Sequence, residues 1–181
     1  MQRQFARSLF CLAALSVAAL SVQAADVKMY GIIDTGIIIE NNKMGTGDSQ
    51  TRAYEEFGIN LGPRVGLRGT EDLGNGTKVG FILENGFNAD DGTMGQDSRL
   101  FGREAALTVY GPFGELAFGR MGGIASSAGT YDLLGYVESF DGGDNAVWGF
   151  DASDRYDNMI TYATPRVAGL QGIVQYSFKT D

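Results

Sequence analysis

Ile59-Asn60-Leu61-Gly62-Pro63-Arg64-Val65-Gly66-Leu67-Arg68-Gly69 alternates without a break. Ile59, Leu61, Pro63, Val65 and Leu67 fall on one face; Asn60, Gly62, Arg64, Gly66 and Arg68 fall on the other. A period of two belongs to a strand, because successive side chains leave opposite sides of the pleat. The stretch therefore predicts a strand with one apolar and one polar face. Working outward, the Gly- and Asn-rich segment Thr70–Gly76 reads as a turn, and Val79, Phe81, Leu83 and Phe87 then oppose Lys78, Gly80, Glu84 and Asn88. Leu100–Tyr110, Leu116–Arg120, Ile160–Ala163 and Leu170–Lys179 read as further strands, and Met29–Glu40 as a long, more apolar first one. Seven strands are expected, with no segment of helical period.

The connections alternate in length. Thr70–Gly76, Gly111–Gly114 and Thr164–Ala168 are short, whereas 41–56, 89–99 and 121–158 are long. Short turns at one end, long loops at the other and strands of about ten residues describe a transmembrane antiparallel β-barrel. A secreted β-sandwich acting as an adhesin or ligand-binding module is the alternative, since its strands alternate too.

Composition narrows the function. The 181 residues include 27 Gly, one Cys and no His. Without histidine there is no Ser-His-Asp triad and no imidazole acid or base. One cysteine allows no internal disulfide and no thiolate cluster. With 22 acids against 14 bases the chain lacks the basic surface that nucleic acid demands. Glu55 and Glu56 are adjacent on a strand and point apart, so they are no glycosidase pair. Asn88-Ala89-Asp90-Asp91-Gly92 lacks calcium-loop spacing. No catalytic residue, cofactor or metal site is expected, and the chain reads as a non-enzyme.

Residues 1–24 have the layout of a cleaved signal peptide: Arg3 and Arg7, an apolar run from Leu9 to Leu20, then small residues up to Ala24. The run is too short for the ~20 residues of a spanning helix. Its removal takes Cys11 and two arginines but no acid, so the net charge moves from -8 to -10.

Several ordered segments resemble the general porins of Gram-negative bacteria. They are Tyr30-Gly31-Ile32-Ile33-Asp34, then Arg64-Val65-Gly66-Leu67-Arg68-Gly69-Thr70-Glu71-Asp72-Leu73-Gly74, then Leu83-Glu84-Asn85-Gly86-Phe87. Phe101-Gly102-Arg103-Glu104-Ala105, Phe113-Gly114-Glu115-Leu116-Ala117-Phe118-Gly119-Arg120 and Asp157-Asn158-Met159-Ile160-Thr161-Tyr162 continue the match. The resemblance implies an outer-membrane protein with a 16-stranded barrel, trimeric when full length, through which ions and small hydrophilic solutes diffuse passively. Residues 25–181 correspond to its N-terminal portion, with about seven of the strands. Two strand edges are then expected to be open, at 29–40 and 170–178, and 25–181 alone is not expected to form a stable channel.

The resemblance also implies that the long loop 121–158 folds inward to narrow the pore. Gly135-Tyr136-Val137-Glu138-Ser139-Phe140-Asp141-Gly142-Gly143-Asp144 resembles the family's acidic constriction motif. That makes Glu138, Asp141 and Asp144 the pore acids, opposed on the wall by Arg64, Arg68 and Lys78. Arg103 and Arg120 align by alternation with outward apolar residues and are assigned to a trimer contact. The acidic balance suggests a preference for cations.

Overall fold

The computed structural model describes residues 26–43, 49–124, 126, 129–131 and 155–178. Residues 1–24, expected to be a signal peptide, lie outside them. Among the described residues nine strands form: β1 Asp26–Ile32, β2 Thr35–Lys43, β3 Ser49–Phe57, β4 Arg64–Gly74, β5 Thr77–Gly86, β6 Glu104–Gly111, β7 Gly114–Gly122, β8 Arg155–Ala163 and β9 Ile173–Ser177. Seven make one antiparallel sheet in the order β1-β4-β5-β6-β7-β8-β9, and β2 pairs with β3 in a separate ladder.

The sequence reading and the structure differ at the first two strands. The segment 29–40 is two strands rather than one, and 59–63 is a loop rather than the start of β4. Asp34 is the physical reason. Its carboxylate accepts the backbone N–H groups of Asn60 (2.9 Å) and Leu61 (2.6 Å), and its carbonyl accepts that of Gly58 (2.9 Å). These bonds hold both chains out of the ladder at one level. The segment 41–56, expected as a loop, contributes β3 to the hairpin above the break.

All short connections lie at one end of the sheet. Asn75 and Gly76 join β4 to β5 with φ of 53° and 75°, the paired positive φ values that a two-residue type I′ hairpin needs. Pro112 and Phe113 join β6 to β7 between the paired Gly111 and Gly114. The long connections leave from the opposite end.

The two faces of the sheet are chemically opposed. One carries Val27, Met29, Val65, Leu67, Phe81, Leu107, Phe118, Tyr162, Val174 and Tyr176. Many of these are exposed to an extent unusual for soluble proteins: 71% for Met29, 49% for Leu107 and 68% for Val174. So extensive an apolar surface marks a membrane or partner contact. Aromatic residues edge it: at the turn end Tyr162 donates its hydroxyl to the Phe113 carbonyl (2.7 Å), and toward the loop end Tyr176 and Phe178 meet edge to face at 5.0 Å. A sandwich would pack such a face against a second sheet, so its exposure speaks against the sandwich alternative. The other face carries Lys28, Tyr30, Arg64, Arg68, Lys78, Glu84, Glu104, Thr108, Glu115, Thr161 and Gln175.

That polar face is not uniformly wet. Ala106, Ala117, Met121, Met159 and Ala163 form a patch of mostly small residues on it, closed by the ring of Tyr131. Next to the patch β7 bulges between Gly119 and Met121. Gly119 has φ 131°, and a Cβ there would collide with the Ala105 carbonyl oxygen. Only glycine fits this position. β1 and β9 form the two edges of the sheet. With seven antiparallel strands they run in the same direction, so the sheet cannot close on itself through an antiparallel ladder.

Candidate functional site

Glu84 is the centre of the charged face. It stands near the loop end of β5, directly opposite Gly66 of β4 and Glu104 of β6. Alternation places it on the side of Lys78 and Gly80, and the absence of a side chain at Gly66 leaves room for Tyr30 to reach across β4. The Tyr30 hydroxyl donates to one Glu84 oxygen (2.8 Å) and the Arg103 Nε to the other (2.6 Å). Arg64 approaches that second oxygen at 3.9 Å and donates its Nε to the Gly62 carbonyl (2.9 Å). Arg155, at the start of β8, donates Nε to the Arg103 carbonyl (2.8 Å). Two guanidinium groups from two parts of the chain thus meet one carboxylate, and a third, Arg155, is anchored on the backbone of one of them.

Glu104 supplies a second acid one strand away, and it is buried. Its carboxylate accepts the Thr130 hydroxyl (2.6 Å). Tyr131, the next residue, donates to Glu115 (3.3 Å). Burial, the larger cause, with the nearby Glu115 carboxylate, raises the Tyr131 pKa well above the usual phenol range. Both Thr130 and Tyr131 belong to the long connection after β7, so that connection begins by lying on the polar face. Among the described residues no group of three or more His, Cys, Asp or Glu is placed to hold a metal ion.

The residues singled out from the sequence fall in different places. Arg64 joins the Glu84 cluster. Arg68 shares its face and lies over the Tyr30 ring, 5.2 Å from the centroid. Lys78 is on the same face but near the turns, opposite Asp72 and Tyr110. Glu138, Asp141 and Asp144 lie outside the described residues. Arg103 needs a correction: alternation puts it with Ala105 and Leu107, but its side chain joins the polar cluster. The reason is that β6 begins only at Glu104, so residue 103 sits in a bend where the period of two does not apply. Arg120 engages Asp157 (2.6 Å) and the Gly102 carbonyl (2.8 Å), and Arg99 contacts the same Asp157.

Sequence reasoning missed Tyr30, Glu84, Glu104 and Arg155 as site residues. The alternation pattern contained the signal for Glu84, which shares its polar face with Lys78. Arg155 required knowing that β8 begins five residues before Ile160. Thr130 and Tyr131 carry no local signal.

A single-layer antiparallel sheet, apolar and aromatic-edged outside and charged inside, defines part of the wall of a transmembrane β-barrel. Comparison with known proteins agrees. The family model described as Gram-negative porin matches residues 11–181. An outer membrane porin protein of Bordetella pertussis is 39% identical over 171 residues, covering 86% of this chain and 43% of that protein. Outer membrane porin protein 32 of Delftia acidovorans is 34% identical, covering 95% and 49%. The solved anion-selective porin from Comamonas acidovorans superposes with a TM-score of 0.58 at 30% identity, covering 86% of this chain and 47% of that one. The chain belongs to the Gram-negative porin family, and its place is the outer membrane. It spans somewhat under half the length of these relatives.

Proposed function

We propose that the protein carrying this chain is a passive diffusion channel for ions and small hydrophilic solutes, with the polar face as its lumen. The observation that carries this is the separation of faces: Arg64, Arg68, Arg103, Arg155 and Glu84 on one side, a band of exposed apolar residues on the other. Fixed charges on a narrow aqueous passage select solutes by electrostatics and size. At the level of Glu84 the wall itself holds three arginines against two acids, so the wall side of the passage favours anions despite the acidic net charge. The Comamonas acidovorans relative is an anion-selective porin, which supports the same direction.

In this reading the loop 121–158 folds into the lumen and brings Glu138, Asp141 and Asp144 opposite the arginines. The seats of Thr130 and Tyr131 on the polar face support it. Residues 1–24 act as the export signal and are removed. The complete protein assembles as a homotrimer in outer-membrane lipid, with Arg120 near the subunit contact.

Cysteine accessibility tests the lumen assignment in the complete protein freed of any other cysteine; within this chain Cys11 is the one cysteine and lies in the segment 1–24. Arg68→Cys in the reconstituted protein reacts with a charged, membrane-impermeant thiol reagent and its current falls. Leu107→Cys stays unreacted in the bilayer. Equal reaction at both positions, or reaction only at Leu107→Cys, contradicts the assignment.

A further inference from the structure

Nearer the turns than the Glu84 cluster, the polar face contains a second feature. Asp26 of β1 stands opposite Thr70 of β4, Thr70 opposite Gly80 of β5, and Gly80 opposite Thr108 of β6. The next row toward the loops is Lys28, Arg68, Ile82 and Ala106. Gly80 has no side chain, so the two rows surround a depression of about 380 Å³ whose lining includes Asp26, Lys28, Arg68, Thr70, Thr108 and Tyr110. A Cβ on Gly80 would lie 3.1 Å from the Tyr110 ring and 3.2 Å from the Thr70 methyl. Glycine therefore lets the Tyr110 ring and the Thr70 methyl close over this position and shape the floor.

The groups around the depression are mostly donors. Arg68 uses only the face of its guanidinium, against Tyr30. Its N–H edge and the hydroxyls of Thr70 and Tyr110 hold no hydrogen bond to the described residues. Lys28 adds an ammonium, paired at 3.1 Å with the one acid present, Asp26. A planar fork, a point cation and two hydroxyls match the oxygens of a tetrahedral anion.

We infer that this depression is a binding subsite for inorganic phosphate. Asp26 decides between oxyanions. A carboxylate can only accept, and inorganic phosphate near neutral pH always carries at least one P–OH to donate to it. Sulfate carries none, so it leaves Asp26 facing a bare anion. A phosphate monoester, with its second pKa near 6, is also largely without a proton at pH 7. The inference rests on the channel reading only for access to the wall; binding itself needs no current.

The test uses the protein in detergent micelles and inorganic phosphate as the probe. Titration broadens the ³¹P line, and sulfate competes roughly tenfold more weakly than phosphate, about the discrimination that one charge-assisted hydrogen bond supplies. Gly80→Ala displaces the Tyr110 ring and Thr70 without changing any charge and weakens the broadening by at least about tenfold, which separates a shaped site from a general positive potential. Asp26→Asn removes the preference over sulfate. Arg68→Gln, at an exposed position, gives the same loss as Gly80→Ala and serves if that variant does not fold. In planar bilayers the same phosphate reduces chloride current along a saturating curve. Absence of broadening, equal competition by sulfate, or retained binding in both Gly80→Ala and Arg68→Gln overturns the inference. Broadening with the predicted variant pattern but no bilayer current upholds the subsite and contradicts the channel; current without broadening does the reverse.

Discussion

Placing one charge on the apolar face measures what that face touches. Leu107 is the fourth residue of β6 and lies between Phe81 and Phe118 of the neighbouring strands. It is four residues from the turn at Gly111, which for a rise of ~3.4 Å per residue and a tilt of ~40° is about 10 Å along the barrel axis. That is close to the middle of an apolar band ~25 Å tall. Leu107→Arg therefore costs about 2–4 kcal/mol of folding free energy in lipid, whereas Leu73→Arg, beside the turn at the band's edge, costs about 0–1 kcal/mol. If water covered this face, replacing a half-exposed leucine would change stability by no more than about 0.5 kcal/mol. Equilibrium urea unfolding of the protein in lipid vesicles, followed by tryptophan fluorescence, gives both values. A Leu107→Arg cost below about 1 kcal/mol, or no difference between the two depths, would refute the lipid-facing assignment.

Four other outcomes follow from particular contacts. Glu84→Gln keeps the side-chain shape but removes the charge between Arg64 and Arg103, both mostly buried; urea titration should show a loss of roughly 2–4 kcal/mol, toward the cost of breaking a buried pair. Asp34→Ala releases the amides of Asn60 and Leu61 and destabilises by about 1–3 kcal/mol, with hydrogen exchange accelerated at those two positions before it changes in β5. Gly119→Ala forces a side chain against the Ala105 carbonyl, and refolding yield on a gel should drop sharply. The raised pKa of Tyr131 predicts that its neutral form contributes stability below the unfolded phenol pKa of about 10, and that this is lost as pH rises through the higher folded value. The wild-type minus Tyr131→Phe ultraviolet titration should accordingly show one tyrosine ionising above the usual phenol range.

The faces of β4 to β7 were legible because a buried or lipid-facing side and an aqueous side impose a strict period of two. Arg64, Arg68 and Lys78 could be put on the polar face from that rule alone. The rule fails wherever the ladder stops. Arg103 lies one residue before β6, and its side chain turns inward to Glu84, a partner 19 residues away. The break at Asp34 was equally hidden, since it depends on amides more than two dozen residues downstream. Small residues were visible as composition but not as a trough: Ala106, Ala117 and Ala163 become one only when three strands align, and Tyr131 has no sequence pattern pointing to it. The acids Glu138, Asp141 and Asp144 rest on resemblance to a motif, and the described residues do not include them.

The most direct test of the channel account is the reversal potential of the purified complete protein carrying this chain, in a planar bilayer under a tenfold potassium chloride gradient. The charged wall around Glu84 predicts discrete conductance steps with chloride favoured over potassium, and a stronger chloride preference in Glu84→Gln. No steps, or cation preference unaffected by Glu84→Gln, would contradict it.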